Sequence, residues 1–151
     1  MSAFVAIADI CNAVESTLSA AAGLARSQSY NELTEGMNDT PTLQVYPESG
    51  AQDIGTANDR TTFKAGVQQE EIVVNADVYV RQRSQIAEDM GALVTQLDAI
   101  RTVLKAQKEG DHFGLVGIRQ FSWTWQRVIF EYGDPLLRYV GFRVIIRIRM
   151  Y

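Results

Sequence analysis

The closing segment of the chain constrains the fold more than any other feature. Over residues 138–151, apolar side chains occupy the even positions, and polar or cationic ones occupy most of the odd positions. A period of two is the pattern of a β-strand with one buried face and one polar face. The apolar side consists of Val140, Phe142, Val144, Ile146, Ile148 and Met150, and the other side carries Tyr139, Arg143, Arg147, Arg149 and Tyr151. We therefore expect a strand that completes a sheet, with any function on its polar face.

A second strand with an aromatic row is predicted just before it, over residues 115–127. The row consists of Phe121, Trp123 and Trp125, flanked on the same side by Arg119 and Arg127. Such a row can pack in a core, meet a neighbouring subunit, or offer a stacking platform for bases or sugars. Its regularity favours the core or an interface. Residues 131–135 contain Gly and Pro, which predicts the turn of a hairpin between the two strands.

Two amphipathic helices and a third long strand are predicted upstream. Apolar spacings of three and four indicate helices over about residues 3–24 and 84–108, the second capped by Ser84. The stripes are Phe4, Ile7, Cys11, Val14, Leu18 and Ala21, and Ile86, Met90, Leu93, Leu97, Ile100 and Leu104. Residues 67–83 alternate as a strand, with Ile72, Val74, Ala76, Val78 and Val80 on the apolar side. Asp77, Arg81 and Arg83 are expected to share the polar side.

The region between the first helix and this strand is rich in Asn, Asp, Thr, Gly, Ser and Pro. We expect only a short extended piece at residues 42–46, ended by Pro47, and an exposed, flexible loop at about 48–60 that orders on assembly. The whole chain, residues 1–151, is then a single α+β domain of two layers. In this domain a mainly antiparallel sheet packs against two amphipathic helices, and a long loop lies between the first helix and the strand at 67–83.

Composition and charge narrow the function classes. No run of 18 apolar residues occurs, and the first residues carry no basic stretch, so we expect neither a membrane span nor a signal peptide. We expect a soluble protein in the cytoplasm where it is made. Residues 1–75 hold 10 acidic and 3 basic side chains, residues 76–151 hold 8 and 11, and the total is −4. An acidic chain is poorly suited to gripping a phosphate backbone, but its asymmetry suits contact between unlike halves of neighbouring subunits.

Motifs for catalysis, metals and cofactors are not apparent in the sequence. Cys11 is the only cysteine and lies on the apolar stripe of a helix, which indicates buried packing rather than a nucleophile. His112 is the only histidine, and no cysteine accompanies it as zinc ligands would require. The glycines around it lack the Lys-Ser/Thr of a phosphate-binding loop. We therefore predict no enzyme, no metal site and no cofactor.

The order of these elements resembles the tail terminator, or tail completion, proteins of long-tailed bacteriophages. The resemblance rests on residues 74–81, Val-Asn-Ala-Asp-Val-Tyr-Val-Arg, on the helix with Leu93, Leu97, Ile100 and Leu104, and on the aromatic strand. It also rests on residues 139–147, Tyr-Val-Gly-Phe-Arg-Val-Ile-Ile-Arg. The likeness covers most of the chain and is weakest at about residues 32–64.

The resemblance implies a structural virion protein rather than an enzyme. Such proteins form a ring, commonly a hexamer, at the head-proximal end of the tail tube; the ring ends tube polymerisation and joins the tail to the head connector or a neck protein. Genomic DNA passes through the bore without specific binding. The expected location is the virion tail, and the host cytoplasm during assembly. The alternatives are another neck, minor tail or tube protein, or a small α+β ligand-binding module or enzyme with its site near Trp123 and Trp125.

Charged strand faces are the predicted subunit contacts in such a ring. Arginine suits this role because its planar guanidinium group binds a carboxylate through two hydrogen bonds. The alternative is that these side chains are solvated or pair within one subunit. The candidate interface residues are Asp77, Arg81, Arg83, Arg143, Arg147 and Arg149.

Overall fold

The described residues form one five-stranded mixed sheet with two helices on one face. The computed structural model describes residues 5–31, 40–53, 69–107, 112–115, 117–132 and 136–150. In chain order the elements are α1 (Ile7–Leu18), β1 (Arg26–Gln28), β2 (Thr42–Asp53), β3 (Gln69–Gln82), α2 (Ile86–Lys105), a short 3-10 turn (His112–Gly114), β4 (Ile118–Tyr132) and β5 (Leu137–Met150). This architecture confirms the predicted α+β class.

The sheet order is β1-β2-β3-β5-β4. β1 runs parallel to β2, and every other neighbouring pair is antiparallel. The closing strand β5 therefore lies between β3 and β4, and the hairpin predicted for the end of the chain joins β4 to β5. Its central turn, residues 133–135, lies outside the described residues.

The core lies between the helices and the apolar sides of β2, β3 and β5. Phe142, Ile146 and Ile148 are fully buried, in one cluster with α1 and α2. This cluster also contains the apolar residues predicted for the strand at 67–83 and Leu93, Leu97, Ile100 and Leu104 of α2. The predicted packing of the closing strand on α2 is confirmed.

Cys11 is fully buried in α1, as predicted. Burial raises the pKa of its thiol from the usual 9.0 to about 11, because the thiolate would lose its hydration. The stripe predicted for this helix is wrong at one position: Ile7 is exposed, and Ile10 is fully buried instead. Phe4 lies outside the described residues.

β2 corrects the prediction of a loop after Pro47. The strand continues to Asp53, and a register shift between Pro47 and Ser49 absorbs the proline within the antiparallel pairing with β3. Proline is tolerated there because beyond Gln44 no described strand covers the outer side of β2. Residues 48–53 are thus strand rather than loop, and residues 54–60 lie outside the described residues.

A close approach between backbones occurs at Gly141 in β5. A β-carbon at this position would lie 2.1 Å from the carbonyl oxygen of Val78 and 2.8 Å from the Phe130 ring. Because Gly141 has no side chain, the Phe130 ring can stack on the Tyr79 ring, with the ring centroids 4.2 Å apart. Tyr139 joins this small aromatic cluster, which lies on the sheet face opposite the helices.

Candidate subunit interface

The sheet face opposite the helices, called here the polar face, brings together two predicted interface residues. Asp77 of β3 and Arg143 of β5 are partners in the strand register. Arg143 donates from Nε to Asp77 Oδ1 at 2.7 Å, and its second nitrogen donates to Asp77 Oδ2 at 3.2 Å. The Tyr46 hydroxyl of β2 donates to Asp77 Oδ2 at 2.7 Å. Asp77 therefore has its two oxygens fully engaged within one chain.

Burial and mutual contact shift the proton affinity of this cluster. The Asp77 side chain is 4 % exposed and that of Arg143 is 29 % exposed. The hydrogen bond to Asp77 raises the pKa of Arg143 and outweighs the opposing effect of burial. Burial, with the hydrogen bond to Asp77, raises the pKa of Tyr46 from 10.0 to about 12. The raised pKa values keep the Arg143 guanidinium and the Tyr46 phenol protonated over the ordinary pH range.

Glu71 holds the other two arginines of the closing strand. Its carboxylate lies 3.3 Å from Arg147 and 3.4 Å from Arg149. Glu71 is 31 % exposed and both arginines are about half exposed, so this cluster faces solvent. The prediction that Arg143, Arg147 and Arg149 share one face is confirmed, and each has a carboxylate partner within the same chain.

Arg81 and Arg83 lie on the other face, so the prediction that they share a face with Asp77 is wrong. A register shift in β3 between Tyr79 and Arg81 places Arg81 opposite Val140 rather than opposite a polar-face residue. The extra residue inverts the alternation for the rest of the strand. Both arginines therefore point towards α2.

Asp89 of α2 meets Arg81 there. Its carboxylate lies 3.3 Å from Arg81 Nε and accepts hydrogen bonds from the Ser84 amide at 3.0 Å and the Ser84 hydroxyl at 3.1 Å. Ser84 was predicted to cap the helix, but the N-cap is Gln85, whose side chain makes no capping bond. Here a carboxylate inside the first turn reaches back to the preceding segment, as in a capping box.

A cleft opens between α2 and the end of β4. This α2–β4 cleft encloses about 160 Å³ and is lined by Arg83, Ile86, Asp89, Met90, Leu93, Arg127, Ile129 and Val140. Arg127 reaches across it to within 3.6 Å of the Met90 sulfur. Ile86 and Met90 were predicted core residues, but Ile86 is 72 % exposed and Met90 is also exposed. The helix stripe extends beyond the part of the sheet that covers it.

The aromatic row of β4 runs from the core into this open region. Phe121 and Trp123 pack against the core cluster, whereas Trp125 is 46 % exposed. Arg127 follows on the same side, and the Arg119 side chain lies outside the described residues. The first two aromatic residues are core residues, and the third is left available for contact.

The described part of the chain also bears on metal sites and membrane-spanning helices. It contains no group of three or more His, Cys, Asp or Glu side chains placed to hold a metal ion. Within the same residues, no helix has the length and apolar character needed to span a membrane.

Comparison with known proteins places the chain in no family. A scan against protein-family models gave no match, and no curated protein sequence matched the chain.

Several residues of these clusters were not singled out as candidate site residues from the sequence. Glu71 and Tyr46 become partners of arginines only through the strand register. Asp89 pairs with Arg81 only because the bulge in β3 turns Arg81 towards α2. Ile129 has no distinguishing local pattern, and its exposure results from the position of β4 at the sheet edge.

Proposed function

We propose that this chain is a structural subunit of a phage tail, a tail terminator that assembles into a ring on the head-proximal end of the tail tube. In this role the ring ends tube growth and joins the tail to the head connector or a neck protein. The bore admits genomic DNA without binding it specifically. The proposal places the protein in the virion tail, and in the host cytoplasm during assembly.

The observation that carries this proposal is the arrangement of α1, the β2–β3 hairpin, α2 and the β4–β5 hairpin. Apart from β1 and β2, which lie where the resemblance has a long loop, it keeps the element order on which the resemblance to tail terminators rests, with β5 between β3 and β4. The charged side chains of the polar face support a structural role, because Asp77 and Glu71 are occupied by arginines of the same chain. A carboxylate paired across two neighbouring strands in this way helps to fix the strand register.

Exposed surface for assembly is the second support. The largest exposed apolar side chains near the sheet edge, including Ile86, Trp125 and Ile129, lie on β4 and α2, and a surface of this kind marks a protein contact. Arg147 and Arg149 are half exposed while paired with Glu71, so a neighbouring subunit can still contact them.

Mass measurement in solution and negative-stain imaging of the purified protein test the proposal. Closed rings are expected, without tubes, and adding the rings to growing tail tubes should stop their elongation. Long stacked tubes from this chain alone would instead indicate a tube protein. A monomer at all concentrations would favour the ligand-binding alternative, with the α2–β4 cleft as the place to look for the ligand.

A further inference from the structure

The α2–β4 cleft and the strand beside it leave several large apolar side chains exposed. Ile86 and Met90 form one wall, and Ile129, 44 % exposed, forms part of the other. Trp125 is exposed farther along the same face of β4, beyond Arg127. Exposed apolar side chains beside a cleft are typical of a docking site for another protein.

The β4 strand also has a free backbone edge. It is the terminal strand of the sheet, and no other described strand pairs with its outer side. Residues 120–126, Gln-Phe-Ser-Trp-Thr-Trp-Gln, contain no charge and no proline. Natural proteins protect exposed edges with charges, prolines or bulges, because an open edge pairs with other strands. In β4 this protection is limited to the bulge between Ile118 and Gln120 at the start of the strand, which leaves residues 120–126 open to contact with another chain.

The opposite edge of the sheet differs. β1 covers only Thr42 to Gln44, so the rest of β2 is without a described neighbour on its outer side. Pro47 and the bulge that follows it disfavour backbone pairing at this edge, so a partner meets it mainly through side chains. The exposed residues beyond them, Ser49, Gly50 and Ala51, are small. Small side chains allow close approach to large ones such as Trp125 and Ile129.

Charge distinguishes the two edges as well. The cleft contains Arg83 and Arg127, and its one carboxylate, Asp89, is already engaged by Arg81 and Ser84. Two copies that met cleft to cleft would bring four guanidinium groups together. β2 belongs to the acidic half of the chain and carries the exposed Glu48 at its bulge, where the residue also interacts electrostatically with Arg143 of the same chain. The cleft is thus complementary to the β2 edge and not to itself.

We propose that the α2–β4 cleft receives the outer edge of β2, around Glu48 and Ser49, from a second copy of this chain. Because β4 and β2 lie towards opposite ends of the sheet, the contact is head-to-tail and repeats from subunit to subunit. Glu48 of one copy then neutralises Arg127 or Arg83 of the next, and the small β2 residues cover Ile129 and Trp125. The inference rests on the proposed ring and specifies which surfaces form it.

Cross-linking between two singly substituted proteins tests this contact. Ile129→Cys and Ser49→Cys are prepared separately, mixed at assembly concentration and treated with a short bis-maleimide. The native Cys11 does not compete, because it is buried and its raised pKa keeps it as an unreactive thiol. Covalent dimers are expected from the mixture and from neither protein alone. Ile7→Cys is the matched control, since Ile7 is 46 % exposed but lies on α1; its mixture with Ser49→Cys should give none.

A charge variant supplies an independent measurement. Arg127→Glu should raise the concentration needed for half-maximal assembly by about tenfold or more, because it places a carboxylate beside Glu48. Glu48→Arg in the same chain should restore assembly in part. Circular dichroism of each variant checks that the monomer remains folded.

The possible outcomes separate this inference from the proposed function. Rings without cross-links in the mixture would overturn the inference and leave the tail terminator proposal standing. Mixed cross-links in open fibres would support the contact and contradict the ring. Cross-linking of Ile129→Cys alone would show a cleft-to-cleft contact and overturn the inference. A wild-type protein that remains monomeric would remove both.

Discussion

Two ion-pair clusters lie side by side on the polar face and use the same chemistry in different surroundings. Both join a carboxylate of β3 to arginines of β5, two strands that pair in one register. Asp77 is buried and binds Arg143 through two hydrogen bonds with Tyr46 as a third partner, whereas Glu71 is partly exposed and shares itself between Arg147 and Arg149. We infer from this difference that burial, rather than residue type or strand position, determines how much each salt bridge contributes to the free energy of unfolding.

The largest effect is expected from Asp77→Ala. The substitution leaves Arg143 without its carboxylate and the Tyr46 hydroxyl without its acceptor, so urea unfolding should show a loss of roughly 3 to 5 kcal/mol. Asp77→Asn should retain part of the hydrogen bonding and lose less. A loss below about 1 kcal/mol for Asp77→Ala would show that the buried cluster contributes no more to stability than the exposed one, which would contradict the difference drawn above.

Ile146→Ala sets the scale for purely apolar burial on the same strand. Ile146 is fully buried on the helix side of β5 between the positions of Arg143 and Arg147. Its truncation should lower the free energy of unfolding by about 2 to 5 kcal/mol, because a cavity remains where the side chain was. An unchanged melting temperature would mean that the two layers do not pack as described.

Tyr46→Phe sharpens the comparison within the buried cluster. Loss of one hydrogen bond to a charged acceptor should cost about 1 to 2 kcal/mol at neutral pH. Because the folded-state pKa of Tyr46 is about 12 and the ordinary value is 10.0, its contribution is complete below pH 10 and declines as pH rises towards 12. The melting temperature should therefore fall less steeply between pH 9 and pH 11.5 in the variant than in the wild type.

Reversal of Arg147 and Arg149 to Glu tests the exposed cluster for both stability and assembly. The monomer should stay folded with a loss of about 1 kcal/mol, since the side chains repel Glu71 mainly through solvent. We predict lower ring occupancy in sedimentation if a neighbouring subunit also contacts these residues. Full rings at wild-type concentration would show that they pair with Glu71 alone.

Glu71→Gln should have the smallest effect, about 0 to 0.5 kcal/mol, and the loss should be smaller at high than at low ionic strength because salt screens exposed pairs. The measurement is a pair of urea titrations at low and high ionic strength. A loss comparable to that of Asp77→Ala would show that exposure does not separate the two clusters.

The sequence was sufficient for the fold class because its strongest signals are periodic. The alternation in β5 correctly assigned Phe142 and Ile146 to the core and the arginines to the opposite face. The same reasoning failed for Arg81, because the alternation of residues continues through Val80 although the backbone bulges there. One extra residue in the ladder is a property of the pairing with β5, which the sequence of β3 alone does not contain.

The candidate surfaces were harder to predict, since they depend on where elements end in space. The stripe of α2 was correct from Leu93 onwards but not at Ile86 and Met90, because helical spacing does not indicate how far the sheet beneath extends. Pro47 was read as the end of a strand, whereas an uncovered edge tolerates it. Glu71 and Tyr46 required knowledge of the strand register before they could be recognised as partners.

The rate at which the buried thiol of Cys11 reacts with a reagent can report local opening of the native protein. A maleimide or disulfide reagent can modify it only after α1 separates from the sheet, so the labelling rate under native conditions reports how often that layer opens. The measurement needs no substitution and no denaturant. Comparing the labelling half-life of free subunits with that of assembled ones would show how much assembly slows the opening of a helix that packs on β2, the strand proposed to contact the next subunit.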